Sequence, residues 1–580
     1  MKTNLIAAIV AATTLVCGAS AAPKNYLRFT ARGGSVAIGM VDYYAGKTNP
    51  TPPLTLEWTD DPDAEEWSLF DAGSTTLTLA DGETAYLRQH DPERTAVTRE
   101  GAGLGWYFAM SADNTTPSAT VEAGGNGLSI VDATCACDAV ATNALSYLFW
   151  DCKILVTPPE FPAVRLSYGA YTHMFDGCAE LRTPPRLPAT TLASHCYSYM
   201  FKGCVKLATA PELPATTLAS SCYYYMFEGC TALTMHPRLP ALTLVEKCYS
   251  GMFSGCEELA SAPSLPAIKL APSCYSSMFY GCAALKEPPE LPANNLTNYC
   301  YKSMFEGCSS LASAPVLPAV ILHPSCYESM FSGATSLVFA PHLPAETLVS
   351  RCYCAMFKGC SNLRRISVGF TKWQNDANQT QNWVNGVAKN GRFVKPSSLM
   401  SSSGVNAIPT GWLTSPVNTI QVPVTEGLSA VALIGDEAIR PTISQTGLFN
   451  NFYLGSGGES VKIVFSAEEG YALSGGVEYS YSPFKDVVQF GRSESPLPTV
   501  VRLAPQVSYQ SAALQFDGLA VEGGAVSLSF GVRITPTLDA PDWQPATISN
   551  AALSPDGKRV TLTLPATATD PQGFYKFADE

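Results

Sequence analysis

Histidine is scarce in this chain. Six occur in 580 residues, and no two stand at a spacing that serves a metal or a catalytic triad. His90 lies near the start, while His173, His195, His236, His323 and His342 fall at variable places in a repeat. There is no G-x-S-x-G, no phosphate-binding glycine loop, no dinucleotide fingerprint and no H-E-x-x-H, which removes those routes to catalysis. Charge is also thin. Charged residues make up 15% of the chain and the formal net charge is -13, a poor match to nucleic acid or an anionic membrane. After the first 22 residues no apolar run approaches the ~20 residues that cross a bilayer as a helix. Cysteine is missing from both flanks: beyond Cys17, all eighteen lie between Cys135 and Cys360.

The first residues set the compartment. Lys2 gives a short positive start, Leu5 to Val16 an apolar stretch, and Ala19-Ser20-Ala21 a small-residue cleavage site, together the pattern of a secretory signal. The expected mature chain begins near Ala22, and its location is extracellular or on the cell surface. Val16 precedes Cys17 where a lipid-anchor site takes a small residue, so secretion fits better than a lipoprotein.

What is abundant is a repeat. Cysteines stand at Cys196, Cys222, Cys248, Cys274, Cys300, Cys326 and Cys352, each step being 26 residues. Two divergent copies precede them at Ala144 and Ala170, giving nine units. A fixed period in this range marks a stacked architecture whose units cannot fold alone. Counting from each unit's first residue, position 6 is Phe in all nine, from Phe149 to Phe357, and position 12 is always Leu. Position 5 is Met in all but the first unit, and position 2 is Tyr in eight. The Phe, Met and Leu are expected to stack into interior ladders, while the Tyr column is expected to be half-buried packing, with stacking on sugar rings or peptide as the lesser reading. Positions 3, 4, 7, 10, 11, 13, 14 and 17 vary and are expected to face water or a ligand. The run CYxxMF before Gly reads as a short helical turn ended by glycine. Leu at position 12 should open a strand of three or four residues, cut short by Pro at positions 16 and 19.

The series MFxGCxxLxxAPxLPATTLxxxCYxxMF resembles the BspA-like leucine-rich repeats of bacterial surface proteins. The likeness covers residues 144 to 372. It continues into WQNDANQTQNWVNGVAKNGRFVKPSSL and IPTGW as a closing segment, and back to LTLEW, LTLADGETAYLR and GNGLSIVD as a leading β domain. Met-Phe replaces the usual Ala-Phe, and the unit is longer and richer in proline. The resemblance implies a secreted or surface-attached, adhesin-like or ligand-binding role without catalysis.

The expected fold is mainly β: a leucine-rich-repeat-like solenoid of about nine 26-residue coils, flanked by N-terminal and C-terminal β-sandwich-like domains. The expected divisions are a signal peptide at 1–21, an N-terminal β domain at 22–143, the solenoid at 144–372, a closing segment at 373–415 and one or two β-sandwich domains at 416–580. Short alternating runs such as YLRFTA, AYLRQH, VKIVFSA and RVTLTLPA carry the flanks. Asp60 to Glu66 reads as a solvated acidic loop.

Cysteine at positions 1 and 9 of six units leaves three readings open. The pairs could be disulfides within a unit, as Cys196 with Cys204, or onward, as Cys204 with Cys222. They could be buried free thiols in two ladders. Metal binding is disfavoured by the lack of histidine and of repeated close pairs. No cofactor is expected.

The expected function is recognition of an extracellular protein or polysaccharide. The candidate contact face is built from positions 13, 14 and 17, and position 17 holds Glu160, Arg186, Glu212, Arg238, Glu290 and His342, with Ser264 and Val316 between them. Two alternatives stand beside it. The solenoid could be a spacer displaying terminal domains that bind carbohydrate, or the C-terminal region could hold a glycosidase-like carboxylate pair.

Overall fold

A computed structural model describes residues 25–45, 53–91, 96, 105–113, 115–373 and 378–434, and beyond these a series of strand segments between 437 and 576. The signal segment at 1–21 and its cleavage site lie outside the described residues. The described chain is essentially all-β. Its one helix is a single 3-10 turn, Gly127–Ile130, capped by the Asn126 side chain. No helix among the described residues is long and apolar enough to cross a membrane.

The leading region forms two antiparallel sheets. Its strands are β1 (Leu27–Arg32), β2 (Val36–Asp42), β3 (Thr55–Thr59), β4 (Ser68–Asp71), β5 (Thr76–Leu79), β6 (Thr84–Gln89), β7 (Trp106–Ala112) and β8 (Thr120–Gly124). One sheet is ordered β8-β1-β6-β3-β4 and the other β5-β2-β7. Alternation decides the faces: Leu27 and Phe29 of β1 and Val36, Ile38 and Met40 of β2 are buried in one apolar core. Asp60, Asp61, Asp63, Glu65 and Glu66 are not part of that core; they line the surface loop between β3 and β4.

Strands β9 (Ala139–Val140) and β11 (Arg165–Leu166) pair in parallel, and β10 (Leu155–Thr157), from the first repeat unit, joins β8 in parallel. In the middle units the expected strand shrinks to an isolated parallel bridge, Thr209 with Met235 at position 14, and further single bridges stand at position 22, such as Asn295 with Ile321. The prolines at positions 16 and 19 remove donors on that side of the unit. Longer strands return at the end: β12 (Phe339–Leu343), β13 (Arg365–Val368), β14 (Arg392–Lys395) and β15 (Leu413–Pro423) run side by side in parallel.

The run expected to be a helical turn is not helical. It is a ribbon of overlapping β-turns. In the third unit the N–H groups of Cys196, Ser198, Met200, Lys202 and Cys204 each donate three residues back. The alternate N–H groups of His195, Tyr197, Tyr199, Phe201 and Gly203 each donate 25 residues forward, at 2.7–3.1 Å. The cause is a left-handed residue at every fourth place. In this unit His195, Tyr199 and Gly203 have φ of 58°, 56° and 70°. A residue at φ > 0 in the third place of a turn closes it as type II, which breaks the helical path and frees every second N–H for the next unit.

The interior is a set of ladders. Phe149 to Phe357 stack with centroids 5.3–5.8 Å apart and planes within 12°. The eight tyrosines from Tyr171 to Tyr353 are buried with centroids 5.7–6.1 Å apart, tilted by 34° between Tyr171 and Tyr197 and stacked from Tyr197 onward. Both ladders have stops. Phe108 of β7 stacks on Phe149 at 5.4 Å, and its N–H donates to the Leu148 carbonyl. At the far end Trp383 lies 6.2 Å from Phe357 and 6.3 Å from Tyr353, with its indole N–H given to the Ala407 carbonyl.

The chain divides into two compact regions. The first takes in the described residues up to Val422 together with 434–461 and 481–489; the second comprises 423–433, 462–480 and 490–580. Within the second, Tyr471–Ser474 pairs antiparallel with Thr499–Arg502, Phe516–Glu522 with Ala525–Phe530, and Asn550–Leu553 with Val560–Thr563.

Candidate functional site

The three readings of the cysteines resolve to one. All eighteen described cysteines are free thiols, and sixteen of them are buried. Position 9 has a specific task. Cys178, Cys204, Cys230, Cys256, Cys282, Cys308 and Cys360 each donate Sγ–H to the Phe carbonyl of the preceding unit, at 3.0–3.2 Å. Cys152 does the same to Phe108, so β7 supplies what an earlier unit would. That carbonyl also takes the N–H three residues on, as Phe201 takes Cys204, and the thiol fills its second lone pair. Burial pushes these thiols above their ordinary pKa, Cys308 and Cys360 up to about 12, so they stay protonated and unreactive. No group of three His, Cys, Asp or Glu able to hold a metal occurs among the described residues.

The expected contact row is partly as drawn. Glu160, Arg186, Glu212, Arg238 and Glu290 are exposed, each at the place equivalent to the last, with Ser264 exposed between them. His342 differs. It is half-buried on β12, level with Ser367 of β13 and 2.8 Å from its hydroxyl. Burial, then the neighbouring Arg365 charge, holds its imidazole down to about 3. It is therefore neutral at physiological pH and part of the sheet that closes the repeats. Position 3 also differs from expectation: Ser146 and Ser198 are buried and donate their hydroxyls to carbonyls 23 residues on, at 2.6 and 2.7 Å.

A second feature escapes the sequence reading. At position 4, Tyr147, His173, Tyr199 and Tyr225 follow one another in the first four units, all half-buried. Tyr147 and His173 stack at 4.5 Å and 11°, His173 and Tyr199 at 4.4 Å and 13°, and Tyr199 and Tyr225 at 5.6 Å and 17°. Trp150 meets Tyr43, Tyr107 and Tyr147 edge-on at 5.4–6.2 Å, and Tyr224 meets Tyr199 likewise at 5.3 Å. His173 Nδ1 lies 2.7 Å from Asp176, and Lys202 lies 2.8 Å from Glu228. The signal is four successive aromatics at a place that elsewhere holds Gly, Ser and Ala. Treating position 4 as freely variable hides it.

No protein-family model matches the chain, and no curated protein matches it.

Proposed function

We propose that this is a secreted or cell-surface recognition protein without catalysis of its own. Its repeat block is read as a leucine-rich-repeat-like solenoid of about nine coils, of the BspA-like kind, between β-sandwich-like end domains. The regular 25-residue reach of the cross-unit hydrogen bonds and the unbroken Phe ladder support that architecture. One observation carries the function. Glu160, Arg186, Glu212, Arg238 and Glu290 are exposed at equivalent places, while their charge changes from unit to unit. A uniform scaffold with a non-uniform exposed row suits the reading of an extended extracellular partner, protein or polysaccharide.

The test is a binding screen of the full mature chain against extracellular-matrix proteins and glycans. A partner should be found, and Arg186→Glu with Arg238→Glu should weaken it, the loss shrinking as salt rises. Binding that ignores both the reversal and the salt would sink the role of this row. Recovery of the secreted chain with Met1 intact would count against the signal peptide.

A further inference from the structure

The aromatic ridge of the first four units carries chemistry that the position-17 row does not use. Its backbone is the first clue. Tyr147, His173, Tyr199 and Tyr225 sit at φ of 62°, 53°, 56° and 50°. Left-handed backbone costs a residue with a side chain about 1–2 kcal/mol and suits glycine. The same place holds Gly251, then Ser277, Ser303 and Ser329, at φ of 52–64°. The fold therefore does not ask for a ring there. The left-handed backbone belongs to the scaffold of every unit, and placing four rings on it in succession is an addition that the scaffold does not need.

The second clue is how the ridge ends. A Cβ at Gly251 would stand 2.4 Å from the Tyr225 ring, so that ring lies over the glycine. At the other end Trp150 ties the ridge to Tyr43 and Tyr107 of the leading region. The third clue is charge. Two carboxylates along the ridge are ion-paired, Asp151 with Lys153 and Glu228 with Lys202, and Asp176 shares a hydrogen bond with His173. Burial raises the phenols of Tyr107 and Tyr147, the latter to about 12, so they remain neutral hydroxyls. What the ridge presents is ring carbon, phenol hydroxyl and carboxylates already engaged by neighbours.

We propose that this ridge binds a neutral, hydroxyl-rich polysaccharide laid along the direction in which the units repeat. Sugar rings offer C–H groups to aromatic carbon and hydroxyls to phenols and carboxylates. A polymer of equivalent sugars matches a surface of equivalent units. A strongly charged chain of either sign finds the carboxylates of the ridge already engaged, Asp176 by His173 and Glu228 by Lys202. The proposal rests on the chain being an extracellular binder but uses different residues from the position-17 row.

The test is affinity electrophoresis of the full mature chain through gels holding a soluble β-glucan, a xylan or a galactomannan. Polygalacturonate and gelatin serve as acidic and peptide controls. At least one neutral polymer should retard the chain. Tyr147→Ser, His173→Ser and Tyr199→Ser together copy the residues that later units carry. They should cut apparent affinity about tenfold or more while the melting transition persists. If that variant does not fold, Tyr199→Ser alone carries the test, with a smaller loss in the same direction. Retardation by none of the neutral polymers, by polygalacturonate alone, or equally for parent and variant would overturn the proposal. Retardation by gelatin alone, lost in the variant, would overturn it too and assign the ridge to extended peptide. The loss in the ridge variant should be insensitive to salt, whereas any loss in Arg186→Glu with Arg238→Glu should shrink as salt rises, so a failure of that row is seen separately.

Discussion

Units one to four and units five to nine share one backbone and differ along one edge. Both halves have the same turn ribbon, the same left-handed residue at position 4 and the same Phe ladder. In the first half position 4 carries Tyr147, His173, Tyr199 and Tyr225; in the second it carries Gly251, Ser277, Ser303, Ser329 and Ala355. The later edge is polar and ionic instead. Glu328 is buried and accepts from Nε and one terminal nitrogen of Arg351, at 3.1 and 2.7 Å, with Lys302 at 3.3 Å. Burial opposes its ionisation, but Arg351, Ser325 and Lys302 outweigh it and hold its carboxyl below the ordinary range. The difference teaches that scaffold and edge are separable. The scaffold tolerates small residues at position 4, so what stands there is free to answer to something outside the fold.

The comparison breaks first if the two halves do not share their core. Phe201→Ala and Phe305→Ala each remove a ring packed above and below, and each should cost roughly 3–5 kcal/mol. Chemical denaturation should give similar losses for the two. A loss in one half only would mean the ladder is not one structure.

Position 4 gives a sharper contrast. Gly251→Ala adds a Cβ 2.4 Å from the Tyr225 ring at left-handed φ, and should cost about 1–3 kcal/mol. Ser329→Ala, beside Ala355 at φ 53°, should change stability by less than ~0.5 kcal/mol. Equal melting shifts for the two would dismiss the ring over Gly251 as the cause.

Tyr301→Phe should be neutral or slightly stabilising, within about 1 kcal/mol, because the buried Tyr301 hydroxyl finds no partner among the described residues. A marked loss would show that the inner tyrosines use their hydroxyls after all.

A last effect is one of pH and vanishes above pH 6.5. His342 has a folded pKa of about 3, well below its ordinary 6.5. Between these values the unfolded chain binds a proton that the folded chain refuses, so stability falls as pH drops through that window. Above it both states are neutral and the contribution is flat. Melting curves of His342→Gln should show a shallower decline from pH 6.5 downward than those of the parent. Parallel declines would place the acid sensitivity elsewhere.

The interior is plain in the sequence and the backbone is not. Phe at position 6 and Tyr at position 2 announce ladders by identity alone, since a side chain repeated every 26 residues meets its own copies. The turn ribbon cannot be read the same way. His195, Tyr199 and Ser277 are not residues that signal φ > 0, and only glycine at position 8 hints at it. CYxxMF has helical spacing, and the hydrogen bonds that override it run to residues 25 further on. His342 shares its unit position with the exposed Glu212, but the strands β12 and β13 lengthen around it. The aromatic ridge is legible residue by residue and is obscured when variation between units is taken as one class.

Each cross-unit N–H of the ribbon points toward the higher-numbered unit, as the five donors of the third unit do. In an α-helix the N–H groups point to the N-terminus and make that end partly positive. Here the polarity is reversed. At the end of the repeats the forward donors of Tyr353, Ala355, Phe357 and Gly359 are taken by the carbonyls of Gln379, Gln381, Trp383 and Asn385. A polymer resting along the ridge would thus meet a surface with a head and a tail, and its two possible directions of threading would not be equivalent.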